Sequence, residues 1–340
     1  MLDQWRKFLA GIGAEFTNSV VAHYGVPERE RRLMCAGTVI ADLSHFGLLK
    51  ISGADARDFL QNQLTNDVNK LDHGQSQYSA WCNNKGRVIS LLLVLRFDDF
   101  YLLLLPNALA KTVGQKLAMY VLRTDVKLEQ ITDQVIFGIA GPDSRSEIAT
   151  VKLKAPTREF NHTFNDDILI SQIPGLTPRY IIITDVPKAQ DIWSKLDVRS
   201  APVGANAWGL SAIRAGIPII NEDTTEKFVP QMLNLHELPA VDFKKGCYPG
   251  QEVVARMHYL GKLKRKMYHI EIARTKPAAS GEKLISPSST SAQGAGNIVT
   301  SALNGDGKVE ALAVLETSIL NNNDLQDAEG NSVKHMEIKY

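Results

Sequence analysis

The stretch FVPQMLNLHELPAVDFKKGCYPGQEVVARMHYLGKLKR, residues 228–265, concentrates the chemistry of the chain. Across 243–266, seven basic residues (Lys244, Lys245, Arg256, Lys262, Lys264, Arg265 and Lys266) face one acid, Glu252, a local charge of +6. Cys247 lies between Gly246 and Pro249-Gly250, a turn in which backbone can approach a ligand closely. A helix over 251–257 would place the thiol just ahead of a helix N-terminus with Lys245 beside it, and both favour a thiolate. The same residues also read as a small buried cysteine and a solvated basic run.

Outward from this segment the pattern is that of mixed α and β layers. Residues 78–82, 88–97 and 100–105 are apolar and aromatic, separated by Asn83-Asn84-Lys85-Gly86 and by Asp98-Asp99, which predicts an antiparallel meander. A helix is expected to open near Ser52, with Ala56, Phe59, Leu60, Gln63 and Leu64 facing inward. Another follows over 108–122, then strands over 135–140 and 180–184. The order lacks the strict strand-helix repeat of a doubly wound parallel sheet. Beyond Gly261, YHIEIAR and VKHMEIKY alternate apolar and polar residues around a Gly/Ser/Pro-rich segment, as in a small all-β barrel. At the start of the chain, Leu2, Trp5, Leu9, Ile12 and Phe16 share one face of an amphipathic helix, read as docking on the body, and 25–35 reads as a polar connector.

The whole chain, 340 residues with 38 Lys plus Arg against 37 Asp plus Glu, carries a formal charge of +1, so no global field marks a nucleic acid or membrane as partner. A hydrophobic content of 44% supports sizeable cores and excludes a disordered chain. The three cysteines, Cys35, Cys82 and Cys247, form no Cys-x-x-Cys pair, and the eight histidines show no metal-binding spacing, so no metal site is expected. Cys35 and Cys82 read as packing residues. The first sixteen residues lack the apolar run of a secretion signal, and 88–105 is interrupted by Arg96, Asp98 and Asp99, so neither export nor a membrane span is expected. A reducing, cytoplasmic setting fits this cysteine usage.

The 228–265 segment closely resembles the signature of the YgfZ family, folate-binding relatives of the aminomethyltransferase (T-protein) of the glycine cleavage system. SGADARDFLQNQLTNDV (52–68), Lys85-Gly86-Arg87, Trp208 with IRAGIPII (213–220), and GNIVTSAL (296–303) extend the resemblance from about Leu43 to the C-terminus. It implies an α+β, three-lobed fold with antiparallel sheets and helices around a central folate cavity, closed by a C-terminal β-barrel. Three units are expected: 1–33 as helix and connector, 34–260 as the folate-binding body, and 261–340 as the barrel. The resemblance further implies a tetrahydrofolate or folate derivative as cofactor, and a role in iron-sulfur cluster assembly or repair and, through it, tRNA modification. The implied clients are iron-sulfur enzymes such as a tRNA-thiolating radical enzyme. It carries functional importance to Lys245, Gly246 and Cys247, with Gln251 and Glu252 completing the signature, and folate contact to Phe46 and Trp208.

Two departures from the T-protein pattern argue against aminomethyl transfer. The T-protein's Asp pair, whose carboxylate handles the protonated amine of the carrier, is replaced by Ser90-Leu91. Its pterin-contacting Glu in Glu-Ala-Gly corresponds to Arg214 of Arg214-Ala215-Gly216, and a donor-only guanidinium cannot accept the pterin's N–H groups. The leading expectation is therefore a folate-binding accessory protein in which Lys245 holds Cys247 as a functional thiolate. The alternatives are a folate-dependent aminomethyltransferase and a protein that contacts tRNA directly through 244–266.

Overall fold

The computed structural model describes every residue except 262, 290, 292, 293, 321, 323, 337, 339 and 340. Two sheets face each other across the middle of the molecule. The first has the order Ser76–Cys82, Val88–Arg96, Phe100–Pro106, Phe46–Ser52, Lys127–Ile131, all antiparallel. The second runs His162–Asn165, Ile168–Ile173, Arg179–Thr184, Val135–Ala140, Val39–Asp42, Ala201–Val203, with only the last pair parallel.

Strand alternation partitions these residues between two environments. Leu91, Leu93 and Leu95 of the first sheet meet Ile181 and Ile183 of the second in one central core. Their neighbours Leu92 and Val94 pack instead beneath helices Ala56–Gln63 and Asn107–Ala118, while Tyr180 and Ile182 pack beneath helices Val186–Leu196 and Asp3–Gly11. Each sheet is thus covered by helices outside and by the other sheet inside.

The meander follows its expected course, since the Asp98-Asp99 turn and the apolar runs favour the same register. Helix Ala56–Gln63 buries the expected Ala56, Phe59, Leu60 and Gln63, but Ser52 ends a strand and does not open the helix. Asp55 precedes the helix and accepts instead from the amide of Asp125 at 2.8 Å. The N-terminal helix stops at Gly11, short of the five-residue face: Ile12 is exposed and Phe16 belongs to a hairpin, Glu15–Thr17 with Val20–His23. Gly13, at φ +94°, turns the chain between them. Trp5 is fully buried, donates its indole N–H to Asp42 at 2.8 Å and meets Trp193 edge-on, which seats the helix on the second sheet.

The polar connector is in fact largely a helix, Pro27–Ala36, with Pro in its first turn and Glu30 buried. Glu30 accepts from the amides of Tyr24 (2.6 Å) and Gly204 (2.9 Å), so it joins the N-terminal hairpin to helix Ala205–Arg214. A helix whose inward polar residue is satisfied by backbone amides carries no clean amphipathic stripe, and its mixed charges concealed it.

The C-terminal unit is an open, curled sheet, Lys283–Leu284, Gly296–Leu303, Val309–Glu316, Arg265–Ile272, Val333–Met336, that encloses its own core of Ile270, Leu284, Ile298 and Leu315. It is a half-barrel, with Ile285 bridging to Gln326 near one edge. The last strand expected over 333–340 is described only through Met336, the rest lying partly outside the described residues. Among the described residues, no helix is long and apolar enough to cross a membrane.

Candidate functional site

The turn 245–250 is fixed by three independent devices. First, the Lys245 ammonium is buried and donates to the carbonyls of Gln61 (2.6 Å), Leu64 (2.5 Å) and Asn66 (2.9 Å). These lie at and beyond the C-terminal end of helix Ala56–Gln63, where carbonyls lack intrahelical partners, so Lys245 caps another element's end. Burial pushes its pKa down to about 8, opposed by Asp67 and Asp242. Second, Gln251 donates to the carbonyls of Lys245 (3.2 Å) and Gly246 (3.3 Å). Third, Gly250, at φ +79°, lies against the Lys85-Gly86-Arg87 turn so closely that a Cβ there would sit 2.5 Å from Gly86 Cα and 2.4 Å from the Asn83 carbonyl oxygen.

This scaffold presents Cys247 as a free, exposed thiol four residues ahead of helix Gln251–Tyr259. All three N–H bonds of the Lys245 ammonium are committed to carbonyls, which makes it an anchor of the turn. Glu252 is exposed in the first turn of the helix.

The +6 segment does not survive folding as one basic patch. Lys245 and Arg265 are buried, Arg265 donating to Ser291 (3.0 Å) and the Gly294 carbonyl. Lys266 pairs with Glu237 at 2.6 Å. Lys244, Arg256 and Lys264 remain exposed, and Lys262 lies outside the described residues. His258 stacks on Phe243 with ring centroids 3.6 Å apart.

Between the two sheets lies a narrow, partly open cavity of about 60 Å³, lined by Phe46, Tyr78, Leu91, Trp208 and Arg179 and by 217–220. That volume is about four times what one water needs. Phe46 and Trp208 both line this cavity, whereas Arg214, Gln251 and Glu252 are not among its described lining residues. Gly138 makes the room for Trp208: a Cβ there would stand 2.4 Å from the indole ring. Leu91 occupies the wall and Ser90 is buried, its hydroxyl directed to the Leu91 carbonyl, so the lining includes no carboxylate.

Arg214 faces the half-barrel. Its guanidinium grips Glu310 with two bonds, Nε at 2.9 Å and Nη2 at 2.7 Å, and Nη1 reaches Cys35 Sγ at 2.9 Å. Cys35 is accordingly an exposed hydrogen-bonding partner and not a packed core residue, while Cys82 is buried. His269 and Asn304 complete the shell of Glu310 at 2.9 and 3.2 Å. Burial pushes the Glu310 carboxyl up, but the bonds from Arg214 and His269 outweigh it and hold it at about 2. Since the folded value lies below the ordinary 4.5, this pair stabilises fully above pH ~4.5 and its contribution fades as pH falls through ~2. E310Q should cost roughly 3 kcal/mol at pH 7, because it leaves a half-buried guanidinium without its anion, and should flatten the loss of stability between pH ~4.5 and ~2. Urea melts at pH 7 and pH 3 check both; equal losses at the two pH values would refute the pairing argument.

Arg179 escaped notice in the sequence, where it opens the apolar run RYIIIT after Pro178. It is only 2% exposed, its guanidinium lies 5.0 Å from the Trp208 ring, and its Nε has no hydrogen-bond partner among the described residues. A lone charge within an otherwise apolar strand is the signal that could have found it.

Residues 14–245 match the GCVT N-terminal domain family. The chain is 30% identical over 288 residues to the tRNA-modifying protein YgfZ of Yersinia pestis (strain Pestoides F), covering 84% of this chain and 85% of that one. It is 30% identical over 278 residues to the protein of the same name from Colwellia psychrerythraea, covering 82% and 85%. The crystal structure of the glycine cleavage system aminomethyltransferase T from Bartonella henselae superposes with a TM-score of 0.85 at 18% identity, over 99% of this chain and 98% of that one. The match from residue 14 and the near-complete superposition bring the N-terminal region, which the resemblance left uncovered, into the shared fold.

Proposed function

Because the chain belongs to the YgfZ family, among proteins with the GCVT N-terminal domain, we propose that it is a folate-binding accessory protein of tRNA modification whose functional group is the Cys247 thiol. The observation that carries this reading is the exposed sulfur on a turn pinned at both ends, set apart from the lining of the central cavity. A rigid, accessible thiol outside the cavity suits contact with another macromolecule. In this reading Cys247 makes a transient sulfur or cluster contact with an iron-sulfur client enzyme.

Phe46, Tyr78 and Trp208 would hold the folate ring, and the buried, unpartnered Nε of Arg179 fits a ligand with acceptor atoms. A tetrahydrofolate bound there supplies one-carbon carrier chemistry. Leu91 and Leu93 keep water from the ring but offer no carboxylate to receive a proton from an amine, which argues against aminomethyl transfer. Among the described residues of 244–266, the exposed Lys244, Arg256 and Lys264 are available for direct tRNA contact.

Cys247→Ala is expected to leave protein abundance and melting temperature unchanged and to drop thiolated tRNA to the level of a deletion strain. Full restoration of tRNA thiolation by that variant would sink the proposal.

A further inference from the structure

Arg179 is an expense that the fold alone does not explain. A buried guanidinium ordinarily has a carboxylate partner, because an unpaired buried charge is costly. Among the described residues Arg179 makes no ion pair. Among the described residues its guanidinium makes one hydrogen bond, from Nη1 to the Pro174 carbonyl at 3.0 Å, and its Nε is orphaned. The acid that acts on it, Glu159, is exposed and accepts instead from the amide of Gly175. Burial consequently lowers the pKa of Arg179 to about 10.

The surroundings are shaped to keep the side chain where it is. A Cβ on Gly175 would stand 2.4 Å from Arg179 Cδ, just as one on Gly138 would strike Trp208. Two glycines on different segments thus make room for a guanidinium and an indole lying 5.0 Å apart. Arg179 also stands between two spaces. It lines the inner cavity, and it touches Pro174 and Gly175, which line an outer cleft of about 500 Å³ with Glu159 and Leu238.

We propose that the inner cavity, whose volume of about 60 Å³ admits the edge of a planar ring and leaves the remainder in its open mouth, takes an edge that carries hydrogen-bond acceptors, and that Arg179, lying across Trp208, is the residue that reads this edge. The assignment rests on the folate reading of the cavity and names the pteridine ring, not the glutamate tail, as the group Arg179 recognises. Apolar and aromatic walls favour a flat neutral ring. A glutamate tail would bring two carboxylates to one guanidinium, and the lining holds no second cation among the described residues. A pteridine carbonyl needs only donors, which Arg179 supplies. The logic also inverts that of the T-protein pattern: a carboxylate reads donors on the ring, a guanidinium reads acceptors, and with position 214 turned toward the half-barrel the cavity keeps only the second kind of reader.

The test is calorimetric titration of the full chain with two fragments, 6-methyltetrahydropterin under anaerobic conditions and p-aminobenzoylglutamate, with melting curves of each ligand-free variant. R179M should weaken pterin binding roughly 10- to 100-fold, leave binding of the tail fragment unchanged, and hold or raise the melting temperature, since it removes an unpaired buried charge. R179K, which can keep the bond to Pro174 but lacks the planar fork, should fold and lose at least about 10-fold, and it decides the matter if R179M does not fold. Pterin binding that survives both substitutions overturns the role of Arg179, as does an equal loss for the tail fragment. Failure of the wild-type chain to bind either fragment or 5-formyltetrahydrofolate overturns the folate reading itself, and this assignment with it.

Discussion

Lys245→Met should destabilise the native state by roughly 2–4 kcal/mol and abolish support of tRNA thiolation, with amide exchange across 244–250 rising at least tenfold. The magnitude follows from two opposed effects. Three charge-assisted bonds to the carbonyls of Gln61, Leu64 and Asn66 disappear, each worth roughly 1.5–3 kcal/mol. The burial penalty of the ammonium, which brings its pKa down to about 8, disappears with them and offsets part of the loss. The exchange readout separates the two roles Lys245 can play. If Lys245 served chiefly to activate Cys247, the variant would slow alkylation of the thiol while the amides kept their protection. That result would displace the anchoring role argued from the three carbonyl bonds.

Gly250→Ala should cost about 3 kcal/mol or more and undock the thiol-bearing turn, whereas Gly246→Ala, one turn residue away from the thiol on its other side, should change stability by less than about 1 kcal/mol. At Gly250 a left-handed backbone costs about 1–2 kcal/mol for any residue with a Cβ, and the added atom would meet only backbone, which cannot move aside cheaply. At Gly246 an added Cβ meets nothing within 4 Å. Chemical denaturation of the two variants checks the contrast. Equal losses would mean that the Gly86–Gly250 contact does not hold the turn.

What the sequence disclosed and what it hid divide along the range of the interactions. The strands Val88–Arg96 and Phe100–Pro106 and the inward face of helix Ala56–Gln63 were legible because adjacent residues encode them. The thiol-bearing turn was legible as a motif, although the reason for its lysine was not. Lys245 finds its acceptors about 180 residues away, and Arg214 finds Glu310 across 96 positions, so no local pattern could show that one anchors and the other ties units together. The +6 charge of 243–266 misled for the same reason, since burial of Lys245 and Arg265 and the Glu237 partner of Lys266 arise only in the fold. Arg179 was missed because the apolar run alone set the expected strand at 180–184, one residue past it, whereas the strand begins at Arg179.

The Arg214–Glu310 pair also bears on how such a chain can change over time. A glutamate placed at 214, as the T-protein pattern has it, would set two carboxylates against each other beside a half-barrel strand and strip His269 and Asn304 of a balanced partner. That single step is strongly disfavoured unless position 310 changes with it, and even then the wall at Leu91 would still lack its acid. Positions 214, 310 and 91 thus constrain one another, and a change toward the T-protein pattern at one of them is compatible with the fold only together with changes at the others. The ion pair that joins body to half-barrel thereby limits which residues positions 214 and 310 can hold together, as well as fastening the two.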